Sequence, residues 1–189
     1  VLLERTRDAE AVAEKLTYVE PRGDTALYDA TYLAIERLAR GAHRRRVLLL
    51  LSDGEDNRSR YGFGDVRRSL EESDVIVYGV GIGTGYSRVA TGRETLEKLS
   101  ATSGGRAFFP DGGGDMDEAF ERIALELRHQ YSIGYKPSGL AGAGEWHSLN
   151  VKVTRPAGSP RLFVRSRRGY YAFTGQKSSP APVSDFVKQ

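Results

Sequence analysis

Five consecutive apolar residues, Val47-Leu48-Leu49-Leu50-Leu51, end abruptly in Ser52-Asp53-Gly54-Glu55-Asp56-Asn57. A continuous apolar run closed by a turn signal predicts a strand buried on both faces, of the kind found in parallel sheets. Val75-Ile76-Val77-Tyr78-Gly79-Val80 predicts a second strand of this type, and Arg106-Ala107-Phe108-Phe109 a shorter third. Between them the period changes to that of a helix. Residues 6–18 carry Ala9, Val12, Ala13 and Leu16 at helical spacing. Pro21-Arg22-Gly23-Asp24 breaks that helix, and Thr25 is a suitable cap for a second one over residues 26–40. Its stripe is Leu27, Ala30, Ala34 and Leu38, widened by Ile35, and Gly41 stops it. Further helices are predicted over residues 65–73, 93–102 and 116–129, the last with Phe120, Ile123, Ala124 and Leu127 on one face. Residues 53–64 form a polar, arginine-rich loop and residues 81–92 a glycine-rich one.

Strands alternating with helices indicate βαβ units and a parallel sheet. The pattern changes after residue 129. Residues 130–135, 148–154 and 162–173 alternate apolar and polar positions, with Gly/Pro turns and no helices between them. The expected organisation is an α/β unit over residues 1–129, an antiparallel β appendage over 130–173, and a loose Ser/Pro-rich tail over 174–189.

Ligands of open α/β sheets bind beyond the carboxyl ends of the strands. Asp53 stands at such a position, and the hard oxygen groups around it suit Mg²⁺, Mn²⁺ or Ca²⁺ rather than a soft metal. Asp56 and Asn57 read as turn formers. Asp29 is open between a role beside the site and capping at the surface.

Composition acts mainly by exclusion. The 189 residues include no cysteine, which removes disulfides, thiolate catalysis and zinc–thiolate sites. His43, His129 and His147 show no metal-ligand spacing. The formal charge of +3 comes from bases interspersed with acids, a solvated surface rather than a nucleic-acid footprint. Arg161, Arg165, Arg167 and Arg168 lie near Tyr170 and Tyr171, a composition that also suits stacking on single strands. Strand alternation explains them more simply, with Leu162 and Val164 inward and the arginines outward. No run approaches the roughly 18 apolar residues of a membrane span. Gly79, Gly81, Gly83 and Gly85 do not follow G-x-G-x-x-G, and Gly83-Thr84-Gly85-Tyr86-Ser87 is not a nucleophile elbow. With no phosphate loop, nucleophile or acid–base pair, the chain is not expected to be an enzyme.

The order of these pieces resembles a von Willebrand factor type A domain. Gly23-Asp24-Thr25-Ala26-Leu27 looks like the family's Gly-x-Thr-x-Leu loop, and Leu48 to Asn57 looks like its strand ending in Ser-Asp-Gly. Val77-Tyr78-Gly79-Val80-Gly81-Ile82-Gly83 and Ser103-Gly104-Gly105-Arg106-Ala107-Phe108 are similar to its later pieces. Gln130-Tyr131-Ser132-Ile133-Gly134-Tyr135 and Arg168-Gly169-Tyr170-Tyr171 resemble the β-rich extension of bacterial proteins described as related to that family.

The resemblance implies a Rossmann-like three-layer sheet and a protein-binding role through a metal-ion-dependent adhesion site, with an acidic side chain of the partner completing the ion's shell. It implies Thr25 and Asp53 as metal ligands. The family's Asp-x-Ser-x-Ser loop has no counterpart, because no Asp of this chain is followed two residues later by Ser. The expectation is a truncated chain lacking the first strands. Its site is incomplete, ion binding is weak or absent here and belongs to the full-length parent, and residues 47–51 form an apolar edge through which the chain self-associates. A secreted, periplasmic or cell-surface location is implied by the resemblance alone. A scaffold without an active metal site is the alternative, and a nucleotide-binding or hydrolytic α/β enzyme a more distant one.

Overall fold

The computed structural model of the protein describes residues 6–20, 23–43, 45–83, 89–131, 133–135, 137, 144–154, 158 and 164–172. The elements run α1 (Ala9–Thr17), α2 (Leu27–Ala39), β1 (Arg46–Ser52), α3 (Phe63–Glu72), β2 (Val75–Gly81), α4 (Val89–Ser103), β3 (Arg106–Phe108), α5 (Gly113–Arg128), β4 (Trp146–Ser148) and β5 (Gly169–Tyr171). β1, β2 and β3 form a parallel sheet in that order, with Leu48 beside Val77 and Val80 beside Phe108. β4 and β5 form a separate antiparallel pair, with His147 beside Tyr170.

The sheet lies between two unequal layers. On one face Val75 and Val77 pack with Ile35 of α2, Val66 and Leu70 of α3, and Leu99 of α4, while Leu48 and Leu50 line the same core. On the other face Tyr78, Val80 and Phe108 pack against Ala119 and Ile123 of α5. The expected Rossmann-like α/β arrangement is therefore present. The pattern of β2 explains it: every residue from Val77 to Val80 is buried, as a strand covered on both faces requires.

β1 departs from the burial on both faces that its apolar run alone predicts, and among the described residues it is the apolar edge that the resemblance implied. Among the described residues it pairs with β2 alone, and of its residues only Val47 packs against the cluster that α5 completes. Leu49 and Leu51 remain 40% and 49% exposed. An apolar run signals a strand, but burial depends on the neighbours the fold supplies. The same correction applies to α1, where Asp8 caps the helix through Glu10 N and Ala11 N but no residue is buried, and Val12 and Leu16 face outward.

Among the described residues the appendage holds less strand than its alternation implies. The described residues of 130–135 and 149–154 form no strand, and Tyr131, Ile133, Val151 and Val153 are exposed. Residues 162, 163 and 173–189 lie outside the described residues. Trp146 and His147 do belong to a strand. Arg167 does not face solvent as the alternation suggested. It donates to Asp74 Oδ1 at 2.7 Å, Ser73 O at 2.6 Å and Glu71 O at 3.2 Å, at the carboxyl end of α3. Arg165 pairs with Glu126 of α5, and Val164, expected inside, is 43% exposed. Arg161 and Leu162 lie outside the described residues. The segment carrying Arg167 passes so close to the α4–β3 turn that a Cβ on Gly104, at φ +85°, would stand 2.7 Å from Arg167 N. The appendage thus meets the α/β unit at the amino ends of the strands. Among the described residues no helix is long and apolar enough to cross a membrane.

Candidate functional site

At the opposite end, β1 delivers Asp53 directly into a tight turn. Gly54 has φ +82°, and a Cβ there would stand 2.1 Å from Gly92 O of α4. A Cβ on Gly92 would in turn meet Asp53 O at 2.0 Å. Two glycines therefore let the β1 exit close against α4. Gly54 N donates to Ser52 Oγ at 3.0 Å, and Glu55 N donates to Asp53 Oδ1 at 3.1 Å. The turn orients the Asp53 carboxylate through Oδ1, leaves Oδ2 without a hydrogen bond among the described residues, and keeps the side chain exposed.

The following residues reach across to the segment before α2. Thr25 N donates to Asn57 Oδ1 at 2.8 Å, while Asn57 N and Arg58 N donate to Thr25 O at 3.0 and 3.1 Å. Thr25 does not cap α2. The residue at the cap position is Ala26, which has no side chain able to do so. Asp56 takes that role from the other loop. Its Oδ2 accepts from Tyr28 N at 2.9 Å and from Ser59 Oγ, and its Oδ1 accepts from Ser59 N at 3.2 Å. Asp29 N donates to Ser59 Oγ at 3.0 Å. The first amides of α2, which have no partner within the helix, are thereby satisfied by residues 56–59.

Burial raises the Asp56 pKa, but hydrogen bonds from Ser59, Tyr28 and Leu27 outweigh it and hold the carboxyl below its ordinary range. Asp56 is thus more than a turn former: it is committed to α2. Asp29, left open by its sequence context, accepts from Arg60 N and Tyr61 N, each at 2.9 Å, and so closes the far side of the same loop.

The two residues singled out as metal ligands sit on two segments that are laced together. Thr25 is exposed with a hydroxyl that makes no hydrogen bond among the described residues, and Asp53 lies four residues before Asn57. Both offer hard oxygen. A divalent cation of this class takes about six oxygens, so the pair falls short of a shell. No group of three or more His, Cys, Asp or Glu side chains able to hold a metal occurs among the described residues. The contribution of Asp56 was not legible locally, because its partner lies 28 residues upstream. No local signal pointed to it, because Thr25 already offered a suitable cap for the helix.

A family model described as von Willebrand factor type A domain matches residues 2–122. No curated protein matches the chain. The crystal structure of an uncharacterized membrane spanning protein from Vibrio fischeri is similar over 64% of this chain and 67% of that one, at 23% identity and a TM-score of 0.37.

Proposed function

This chain belongs to the von Willebrand factor type A domain family, whose members commonly mediate protein interactions, and on that premise we propose that it is a non-catalytic module that recognises a protein at the carboxyl ends of its parallel strands. Asp53 and Thr25 contribute two oxygens to a site for Mg²⁺, Mn²⁺ or Ca²⁺. The remaining ligands come from outside these two loops, and an acidic side chain of the partner takes an open position on the ion. The observation that carries this reading is the lacing of the two loops. Asn57 holds the Thr25 backbone from both sides, and the Gly54–Gly92 contact fixes the turn that bears Asp53. Both side chains keep an oxygen without a hydrogen bond among the described residues, on segments held by the backbone contacts above.

Calorimetric titration of Mg²⁺ and Mn²⁺ into the protein and its Asp53→Ala variant tests this. With two ligands in place the affinity is expected to be weak, on the order of millimolar, and absent in the variant. Equal binding by both proteins would remove Asp53 from the site. Partner capture unaffected by ions and by Asp53→Ala would favour a scaffold without a working metal site.

A further inference from the structure

α2 and α3 pack together on one face of the sheet, and each runs from the carboxyl ends of the strands toward their amino ends. Each turns one helical stripe to the groove between them: Tyr32, Glu36 and Ala39 from α2, and Asp65, Arg68 and Glu72 from α3. The groove has a volume of about 580 Å³, within the range of small-ligand sites. Arg46, Ser73 and Asp74 line its end at the amino side of the strands.

At the other end Tyr61 stacks on Tyr32, with ring centroids 4.1 Å apart and 14° between the ring planes. The Tyr61 N–H is fixed on Asp29 Oδ1, yet the residue is 39% exposed, so the stack offers aromatic surface to solvent. The charges lining the groove are four acids, Glu36, Asp65, Glu72 and Asp74, and two bases, Arg46 and Arg68. Among the described residues Asp65 and Glu72 make no ion pair, and Glu36 meets only Arg40, at 3.7 Å with both side chains exposed. Burial raises the Tyr32 pKa, and the charges of Glu36, Tyr61, Asp65 and Glu72 raise it further, so the phenol lies in a negative field. The other end of the groove already holds a guanidinium. Arg167 donates to Asp74 Oδ1 and to Ser73 O, both on the groove's lining.

We propose that the Tyr32–Tyr61 end of this groove is a second recognition site, which takes an arginine side chain of a protein partner. The guanidinium lies on the tyrosine stack, and its in-plane N–H groups meet the carboxylates of Glu36, Asp65 and Glu72. Arginine suits the site better than lysine, because a planar guanidinium stacks on a ring and donates in its own plane at once. The site uses no ion and is separate from Asp53.

Titration with the capped tripeptide acetyl-glycyl-arginyl-glycinamide in EDTA, followed through the Tyr32 and Tyr61 ring signals by NMR, tests this. The expected result is a saturable shift of those signals. The citrullyl counterpart, of the same shape without the charge, should bind at least about tenfold more weakly. Glu72→Gln should weaken the arginyl peptide about threefold, and Tyr61→Ala, read at Tyr32, about fivefold. Both positions are exposed, so the fold should survive, as circular dichroism will verify. Asp53→Ala should bind the peptide as the unsubstituted protein does, so failure of an ion site at Asp53 leaves this result standing. Absence of a saturable shift overturns the proposal. So does equal binding of the citrullyl or lysyl counterpart, or binding that neither Glu72→Gln nor Tyr61→Ala weakens.

Discussion

At the carboxyl ends of the parallel strands a carboxylate, Asp56, sits on the amino terminus of α2; at their amino ends a guanidinium, Arg167, sits on the carboxyl terminus of α3. Each charge meets the helix end whose dipole it complements. The two contacts differ in what they hold. Asp56 joins two loops of the α/β unit and leaves Thr25 and Asp53 with outward oxygens. Arg167 comes from the appendage, and its donors are spent on Asp74 and on the backbone of Glu71 and Ser73. One end is rigid but chemically open. The other is closed by the chain itself. Recognition at the first end therefore need not disturb the appendage.

Removing the Asp56 carboxylate should have the largest effect. Asp56→Ala leaves Tyr28 N and Ser59 N without their acceptor and should cost about 2 kcal/mol, at the upper end of helix-cap substitutions. Asp56→Asn, which retains an acceptor, should cost about half of that. The pH dependence has a definite sign. Because the folded-state pKa is depressed, this stabilisation is complete above the unfolded carboxylate pKa and is lost as pH falls through the folded value. Urea unfolding across the acid range reads both effects. If Asp56→Ala unfolds at the wild-type denaturant midpoint, the cap is not a stabilising contact and the rigidity ascribed to this end is lost.

Arg167→Ala should cost less, about 1 kcal/mol. Its ion pair with the 71% exposed Asp74 side chain is worth little, and the gain lies in the carbonyls of Glu71 and Ser73. The diagnostic consequence is local. Limited proteolysis after residue 129 should accelerate in Arg167→Ala while the unit containing β1–β3 persists. Arg167→Lys should lie between the two, because an ammonium keeps the charge but not the planar fork. Uniform acceleration of cleavage across the whole chain would mean that Arg167 supports the fold at large instead of holding the appendage.

These two contacts also mark where reading the sequence stops. β2 was legible because its apolar run is buried on both faces, and Asp53 was legible because a strand must exit into a turn. The apolar run of β1 alone reads as buried on both faces, and only the family resemblance pointed to the partly exposed edge on which Leu49 and Leu51 lie. Thr25 was the obvious local cap for α2, yet the acceptors are Asp56 and Ser59, 28 and 30 positions beyond the Tyr28 and Asp29 amides that donate to them. Local sequence ranks local competitors only. Residues 149–154 show the same limit in the appendage. Alternation identifies extended chain, and a ladder needs a partner that alternation does not name.

The smallest expected effect concerns a third tie, at Glu126 of α5. Glu126 accepts from Tyr78 of β2 at 3.1 Å, pairs with Arg165 of the appendage, and lies 3.8 Å from Arg106 of β3. Tyr78→Phe deletes one neutral donor and should cost about 0.5–1 kcal/mol. Burial, the Glu126 charge and the hydrogen bond to it push the phenol up to about 12. A raised phenol pKa favours the neutral form in the folded protein, so this stabilisation is complete below pH 10, the ordinary phenol value, and is lost as pH rises towards 12. Ultraviolet titration of tyrosinate should show a late-ionising component that disappears in Tyr78→Phe. If the variant instead removes an ordinary phenol step, Tyr78 is solvated, and the Glu126 tie between the sheet and the appendage is looser than the Arg167 contact beside it.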